Sequence, residues 1–351
     1  MSAKLPATLL EHTPWEKDQN PIWLATSLTL LRNFGRYKFP SKLLPPQTTS
    51  LLQTLQQTLI KSPLDATFLP ADQTTPLDKE FLFEHFLCQE SFQNATAGQG
   101  FALDPSGQIF VLCNIKNHLQ LHLLDSQGNS AEAWAKLSRI ETEIGKSIDF
   151  AFSPKFGYLT SDPTQCGTGF IATIFLHLPA LARTGQLGEL LKQKDEDLLP
   201  MSFEGALDEM VGDILLLRNQ YTLGLTEENI LQSVQNFAFK LMAAEKALRS
   251  QLREKSDPTI KDHVSRAYGL LAHSYQLQTK EALNALSLIK LGIDLGWITN
   301  LPPAKINQMF FQCRRGHLAH LLGETSLDFQ EIPRKRAEFI HKSLQGMQMQ
   351  A

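Results

Sequence analysis

Residues able to do chemistry gather at three places in this chain. The segment GYLTSDPTQCGTGFIATIFLHLP, Gly157 to Pro179, sets Asp162 directly before Pro163, with Gly167 and Gly169 close behind. Proline fixes φ and lacks an N–H, while glycine admits positive φ and close backbone approach. Such a stretch reads either as an ordered loop exposing backbone amides and a carboxylate, or as a plain turn feeding a core element. Nearer the start, Arg32, Arg36 and Lys38 form a basic tail on the apolar run PIWLATSLTLL, which itself reads as a strand or helix packing on the core. In the third place, Asn114 to His122, two histidines stand four residues apart. Along an extended strand, at roughly 3.3 Å per residue, that separation is too long for two ligands of one ion. No metal site is read from them.

These groups need elements to hold them. Gln108 to Asp125 reads as a hairpin around Asn114–Asn117, with His118, Gln120 and His122 alternating with leucines in the period of a half-buried strand. Ser130 to Ile148 carries Trp134, Leu137, Ile140 and Ile144 on one helical stripe. The run from Phe170 to Leu178 is a buried strand or the start of a buried helix; apolarity alone does not choose. Pro45–Thr49 reads as a loop, with Ser50 capping a helix over Leu51, Leu55 and Leu59. Thr226 opens a long helix, and from about Asp257 the pattern is helical, broken at Asp257-Pro258 and Leu301-Pro302-Pro303.

Composition narrows the classes. With 351 residues, 42% hydrophobic and 20% charged, the chain is long enough for two domains and a sizeable core. A formal charge of −3 gives no bulk attraction to nucleic acid or an anionic membrane. No run of about 18 apolar residues exists to span a bilayer, and the first twenty residues hold no signal-like apolar core. The four cysteines (Cys88, Cys113, Cys166 and Cys313) are dispersed without a CxxC pair, which fits reduced thiols in a cytoplasm.

The first of the three places carries a resemblance. GYLTS-x-PT-x-x-GTG followed by an apolar run ending in HLPAL resembles the signature of the phosphagen (ATP:guanidino) kinases, in the form found in bacterial protein-arginine kinases. Arg32-Asn33 with Phe39-Pro40 is similar to the end of their SSR-x-R-x-x-RN…FP element, and Gln220–Gly224 to their NQ-x-TLG strand end. Arg266–Leu271 and Lys290–Gly296 resemble the helical C-terminal domain of the same branch. The resemblance implies an α+β fold: a phosphagen-kinase catalytic domain over residues 1–255, built on an antiparallel sheet flanked by helices, then an all-helical dimerisation or regulatory domain over 256–351. It also implies ATP with Mg as cofactor, a homodimer, a zinc-containing activator protein and a link to Clp-type proteolysis.

Position by position, the chain departs from that pattern where the chemistry lies. The family's five phosphate-binding arginines fall on Ser27, Thr29, Gln120, Ile171 and Met201. Its NEEDH carboxylate pair falls on Ile115 and Lys116, its reactive cysteine on Asp162, and the glutamate of its RG-x-x-GE motif on Ala206. In the C-terminal domain the Arg-Asp pair of RD-x-RRA falls on Ile332-Pro333, leaving Arg334, Lys335 and Arg336 as a basic cluster read as a solvated helix face. Phosphoryl transfer needs cations around the triphosphate and a carboxylate beside the guanidinium. A charge-assisted hydrogen bond contributes about 1.5–3 kcal/mol, so five missing arginines forfeit on the order of 10 kcal/mol. Arg32 and His118 remain as nucleotide-binding candidates.

The sequence therefore predicts a degenerate protein-arginine kinase homologue, a pseudokinase retained as a binding or regulatory scaffold. The alternative is an active protein-arginine kinase with a rearranged site recruiting Arg32, Arg36, His118 and Asp162. A third reading holds a guanidinium or phosphoarginine without chemistry, through Asp162 and the loop amides.

Overall fold

The computed structural model describes residues 4–16, 20–204, 206–324, 328 and 330–350. The chain divides into two compact units.

The first unit takes the chain to His12, Ala25–Thr173 and Asn219–Val234. Its elements are α1 (Ala7–Glu11), β1 (Trp23–Arg32), α2 (Pro45–Lys61), β2 (Thr67–Pro70), α3 (Pro76–His85), β3 (Gly100–Leu103), β4 (Ile109–Cys113), β5 (Leu119–Asp125), α4 (Ser130–Gly145), β6 (Phe152–Ser153), β7 (Gly157–Tyr158) and the first half of β8 (Phe170–His177). The sheet runs β2-β3-β4-β5-β1-β8. Antiparallel registers set Thr29 opposite His122, Leu31 opposite Gln120, Phe110 opposite His122 and Leu112 opposite Gln120. Because side chains alternate across a strand, Ser27, Thr29, Gln120, His122, Phe110 and Leu112 share one sheet face. An aromatic core of Phe81, Phe86, Phe92, Phe101 and Phe110 packs on part of that face. Helix α4 covers the other: Ser130 Oγ donates to Thr26 Oγ1, and Trp134 packs on Phe170 at 4.7 Å between ring centroids.

The hairpin is where the sequence puts it, but His118 and His122 are buried together with the alternating leucines, since the sheet is covered on both faces. Phe170–His177 is a strand. Helix α2 begins earlier than expected. Pro45 stands at its first turn, where a missing N–H costs nothing, and Ser50 lies inside the helix rather than at its cap.

The second unit comprises Thr13–Leu24, Ile174–Arg218 and residues from Gln235 on. It contains α5 (Pro179–Arg183), α6 (Leu187–Leu191), β9 (Leu198–Ser202), β10 (Ile214–Asn219), α7 (Glu227–Lys255, begun in the first unit), α8 (Pro258–His273), α9 (Thr279–Asp294), β11 (Ile298–Thr299), α10 (Pro303–Gln312), α11 (Arg315–Leu322), α12 (Ile332–Ser343) and β12 (Gln348–Met349). Within it the sheet runs β8-β10-β9. The helical tail carries one two-residue antiparallel pair, β11 with β12. A buried polar network ties this unit together: Glu245 accepts from the N–H groups of Ala180 and Leu181 and pairs with Arg249 at 2.7 Å, and Arg249 also donates to His177 O.

Candidate functional site

The β4–β5 turn and the loop after β7 build one side of a cleft of about 680 Å³ in the first unit. Asn114, at φ 57°, is fixed by its own Nδ2, which donates to Thr48 O and Gly98 O, while Gln99 Nε2 donates to its carbonyl. Asn117 Oδ1 accepts from Asn33 Nδ2 at 2.7 Å and from Ser161 N at 2.9 Å, and Ser161 Oγ donates to Lys116 O. Turn and loop are thus locked to each other before any ligand arrives. Among the described residues, Glu90, Lys116 and Asp162 are the charged groups lining the cleft, and Lys116 Nζ lies 3.0 Å from Glu90 Oε1. Glu90 follows α3 in a stretch without motif character, so the sequence reading missed it.

The loop amides do not face a ligand. The N–H groups of Ser161, Thr164, Gln165, Cys166, Gly167 and Thr168 all donate within the protein. Asp162 Oδ1 accepts from Thr164 N and Oγ1, which makes Asp162 the cap of the Pro163–Gln165 turn. The glycines serve backbone-on-backbone packing. A Cβ on Gly157 would lie 2.4 Å from Gly167 O, and one on Gly167 2.4 Å from Thr222 O. Both positions also have positive φ, so glycine is required there. This corrects the expectation of amides exposed by the glycine-rich loop: close packing consumes them.

Four of the five positions assigned to phosphate arginines come together on one sheet face. Ser27, Thr29 and Gln120 share it by register, and Ile171 joins them because its neighbour Phe170 packs on α4 from the opposite side. Ser27 and Thr29 are buried, at 5% and 7% exposure. Thr29 Oγ1 lies 3.0 Å and Ser27 Oγ 3.3 Å from His122 Nδ1, while His122 Nε2 meets Phe86 O at 2.8 Å. A carbonyl only accepts, so Nε2 carries the proton and Nδ1 is the acceptor. Burial holds this imidazole neutral, with its pKa down to about 4. Met201 is on β9 in the second unit, half-buried, and Gly205 of the same motif lies outside the described residues.

The two retained candidates are engaged by the protein itself. Arg32 is 2% exposed. Its Nε pairs with Glu141 at 2.7 Å, its Nη1 donates to Leu31 O and Thr168 O, and its guanidinium lies 3.6 Å over the Tyr158 ring. His118 accepts from Phe34 N at Nδ1 and meets Lys38 O through Nε2, again neutral, with burial lowering its pKa to about 4. Arg36 is exposed, 3.8 Å from Asp149. In the second unit, Arg336 corrects the reading of a solvated basic face. It is buried and donates to Cys313 O and Leu277 O, because α12 turns it inward to satisfy two carbonyls. Arg334 and Lys335 stay at the surface in pairs with Glu338 and with Glu324 and Glu331.

A triphosphate with Mg needs converging cations. The sheet face formed by Ser27, Thr29, Gln120, Ile171 and His122 offers hydroxyls, one amide, hydrocarbon and a neutral imidazole, and these residues do not fit that group. Among the described residues, no group of three or more His, Cys, Asp or Glu is placed to hold a metal, and no helix is long and apolar enough to cross a membrane.

Comparison with known proteins places the scaffold. The ATP:guanido phosphotransferase C-terminal catalytic domain family matches residues 47–248, and the protein-arginine kinase McsB C-terminal domain family matches 257–351. A protein-arginine kinase of Chlamydia pneumoniae is 35% identical over 352 aligned residues, covering 98% of each chain. One from Syntrophomonas wolfei is 31% identical, over 93% of this chain and 92% of the relative. Among solved structures, lombricine kinase superposes with a TM-score of 0.57 at 17% identity, covering 71% of this chain and 73% of that one. The duplicated taurocyamine kinase from Schistosoma mansoni with bound transition-state analogue components gives 0.59 at 20% identity, over 74% of this chain and 38% of that one. These likenesses support the fold alone; matched domains and whole-length identity together show that this chain belongs to the protein-arginine kinase family of ATP:guanido phosphotransferases.

Proposed function

We propose that this chain is a non-transferring member of its family, a pseudokinase that keeps the fold as a binding and regulatory scaffold. The observation that carries this reading is the Ser27–Thr29–His122 cluster: where the family pattern has two arginines, two hydroxyls share one neutral, buried imidazole. Replacing cations by neutral groups removes the electrostatic stabilisation on which phosphoryl transfer depends. At the turn that carries the family's carboxylates, Lys116 brings positive charge beside an incoming guanidinium. As a scaffold the protein works in the cytoplasm as a homodimer, with a zinc-containing activator protein and Clp-type proteolysis as its functional setting; family membership supports this part of the reading.

Melting the protein with and without saturating Mg-ATP or Mg-ADP tests the proposal, since a ligand that binds only the folded state raises Tm. The expected response is flat, with no label transferred from γ-labelled ATP to an arginine-rich protein. A clear nucleotide-dependent rise together with transfer would establish an active kinase with a rearranged site instead.

A further inference from the structure

In the second unit, the connection from β9 to β10 is held by one face of α9. Lys280, Asn284 and Ser287 stand at i, i+4 and i+7 on that helix, a spacing that lines them up on one side. Each meets a different point of the connection. Lys280 Nζ lies 2.6 Å from Glu209 Oε2, Asn284 Oδ1 accepts from Gly212 N at 2.7 Å, and Ser287 Oγ donates to Asp213 Oδ2 at 2.6 Å. Because that hydroxyl gives its proton to a carboxylate, it accepts from His177 Nε2, 2.9 Å away. Asp213 also pairs with Arg183 of α5 at 3.0 Å. The end of β9 is caught separately: Arg314 lies 3.2 Å from Glu204 and 5.0 Å over the Phe203 ring, on which Trp15 packs at 6.1 Å.

The held conformation is not one this connection adopts freely. Met210, Gly212 and Asp213 have φ of 27°, 67° and 50°. Glycine enters this region readily and aspartate tolerates it, but a methionine there is strained. Such strain persists only where surrounding contacts fix the backbone. The contacts that do so next to Met210 are those of Gly212 N and the Asp213 carboxylate, and α9 takes part in both.

We propose that α9 is a latch: through Asn284 and Ser287 it holds residues 206–213 in a strained conformation, and this segment moves as a unit when those two contacts part. The segment begins at Ala206, where the family pattern has a glutamate. A helix of the C-terminal region thus governs a loop that precedes it by some seventy residues in the chain. The exposed Lys280–Glu209 pair adds little, because solvent screens it. The latch acts whether or not the chain transfers phosphate.

Hydrogen exchange of the full chain, read by mass spectrometry, tests this. Asn284→Ala removes the acceptor of Gly212 N at a half-buried position. It is expected to speed exchange of the amides in 206–213 about fivefold, the worth of one hydrogen bond, while α8 and α10 keep the parent's rates. Ser287→Ala strips a donor from a buried carboxylate and should speed the same amides about tenfold or more. If Ser287→Ala folds poorly, Asn284→Ala alone decides. Parent-like exchange over 206–213 in Asn284→Ala overturns the proposal, since the connection then holds itself. Equal acceleration through α8 and α10 overturns it as well, since the change is then a general loosening and not the release of one segment.

Discussion

Thr29 Oγ1 lies 3.0 Å from Nδ1 of His122, directly across the β1–β5 ladder. The pair is buried, and it occupies a position that the family pattern gives to a phosphate-binding arginine. The hydroxyl donates to a ring nitrogen kept neutral by burial, so the site is closed as a hydrogen-bonded pair rather than left as an empty cation position.

Restoring the arginine at that point should therefore harm the protein. Thr29→Arg forces a guanidinium into a position 7% exposed, beside a neutral histidine and against the aromatic core that includes Phe86. An unpaired buried charge destabilises by roughly 3 kcal/mol or more. Urea unfolding should show that loss, and Mg-ATP should restore none of it. Unchanged stability combined with nucleotide-dependent protection would mean that this face opens readily to a polyanion.

The same histidine predicts how stability depends on pH. His122 has a folded pKa near 4 against an ordinary 6.5. Between those values the unfolded chain binds more protons than the native one, so stability is fully present above pH 6.5 and is lost as pH falls toward 4. The slope from this residue is at most about 1.4 kcal/mol per pH unit. His118, lowered for the same reason, acts in the same direction. Denaturant midpoints from pH 7.5 to 4.5 should fall for the parent protein and fall less steeply for His122→Gln. Identical slopes would place the proton elsewhere.

Arg32 separates a structural role from nucleotide binding. Its partner Glu141 is only 12% exposed, so removing the guanidinium leaves a carboxylate with little access to water. Breaking such a pair costs about 3–5 kcal/mol, and removing both charges costs less than the sum of the single losses. Arg32→Gln and Glu141→Gln should each lower the urea midpoint, with marked coupling in the double variant. Stability unaffected by either change would show that the buried pair contributes nothing, leaving Arg32 available for another task.

Much of this architecture was legible because packing writes itself into local sequence. The glycines at 157 and 167 announced a tight loop, and their φ values and 2.4 Å backbone approaches explain why no other residue serves. The leucines around His118 and His122 announced a strand. The direction in which loop amides point was not legible, because it depends on acceptors such as Thr222 O, which takes the N–H of Thr168 from elsewhere in the fold. Nor was the Glu90–Lys116 pair, whose partners are separated by two strands and of which Glu90 carries no motif. Arg336 misled for a similar reason: the carbonyls it satisfies, Cys313 O and Leu277 O, are 23 and 59 residues away. Substitutions at family positions were readable one by one, but the hydrogen bonds that replaced the lost charges needed the fold.

The double change Ile115→Glu, Lys116→Glu restores the family's carboxylate pair at the β4–β5 turn without touching the sheet face. It removes the ammonium beside Glu90 and adds acceptors to a turn already fixed by Asn117 and Ser161. The variant should therefore take up N-acetyl-arginine amide. It should still transfer no phosphate from ATP, because Ser27, Thr29, Gln120 and Ile171 continue to present neutral groups where phosphate oxygens need cations. Two measurements on one protein, titration with the arginine derivative and label transfer from γ-labelled ATP, thus separate the two defects. Measurable transfer would show that the carboxylates, and not the missing arginines, set the limit. Arginine binding without transfer places the limit on the sheet face, at the hydroxyls held by His122.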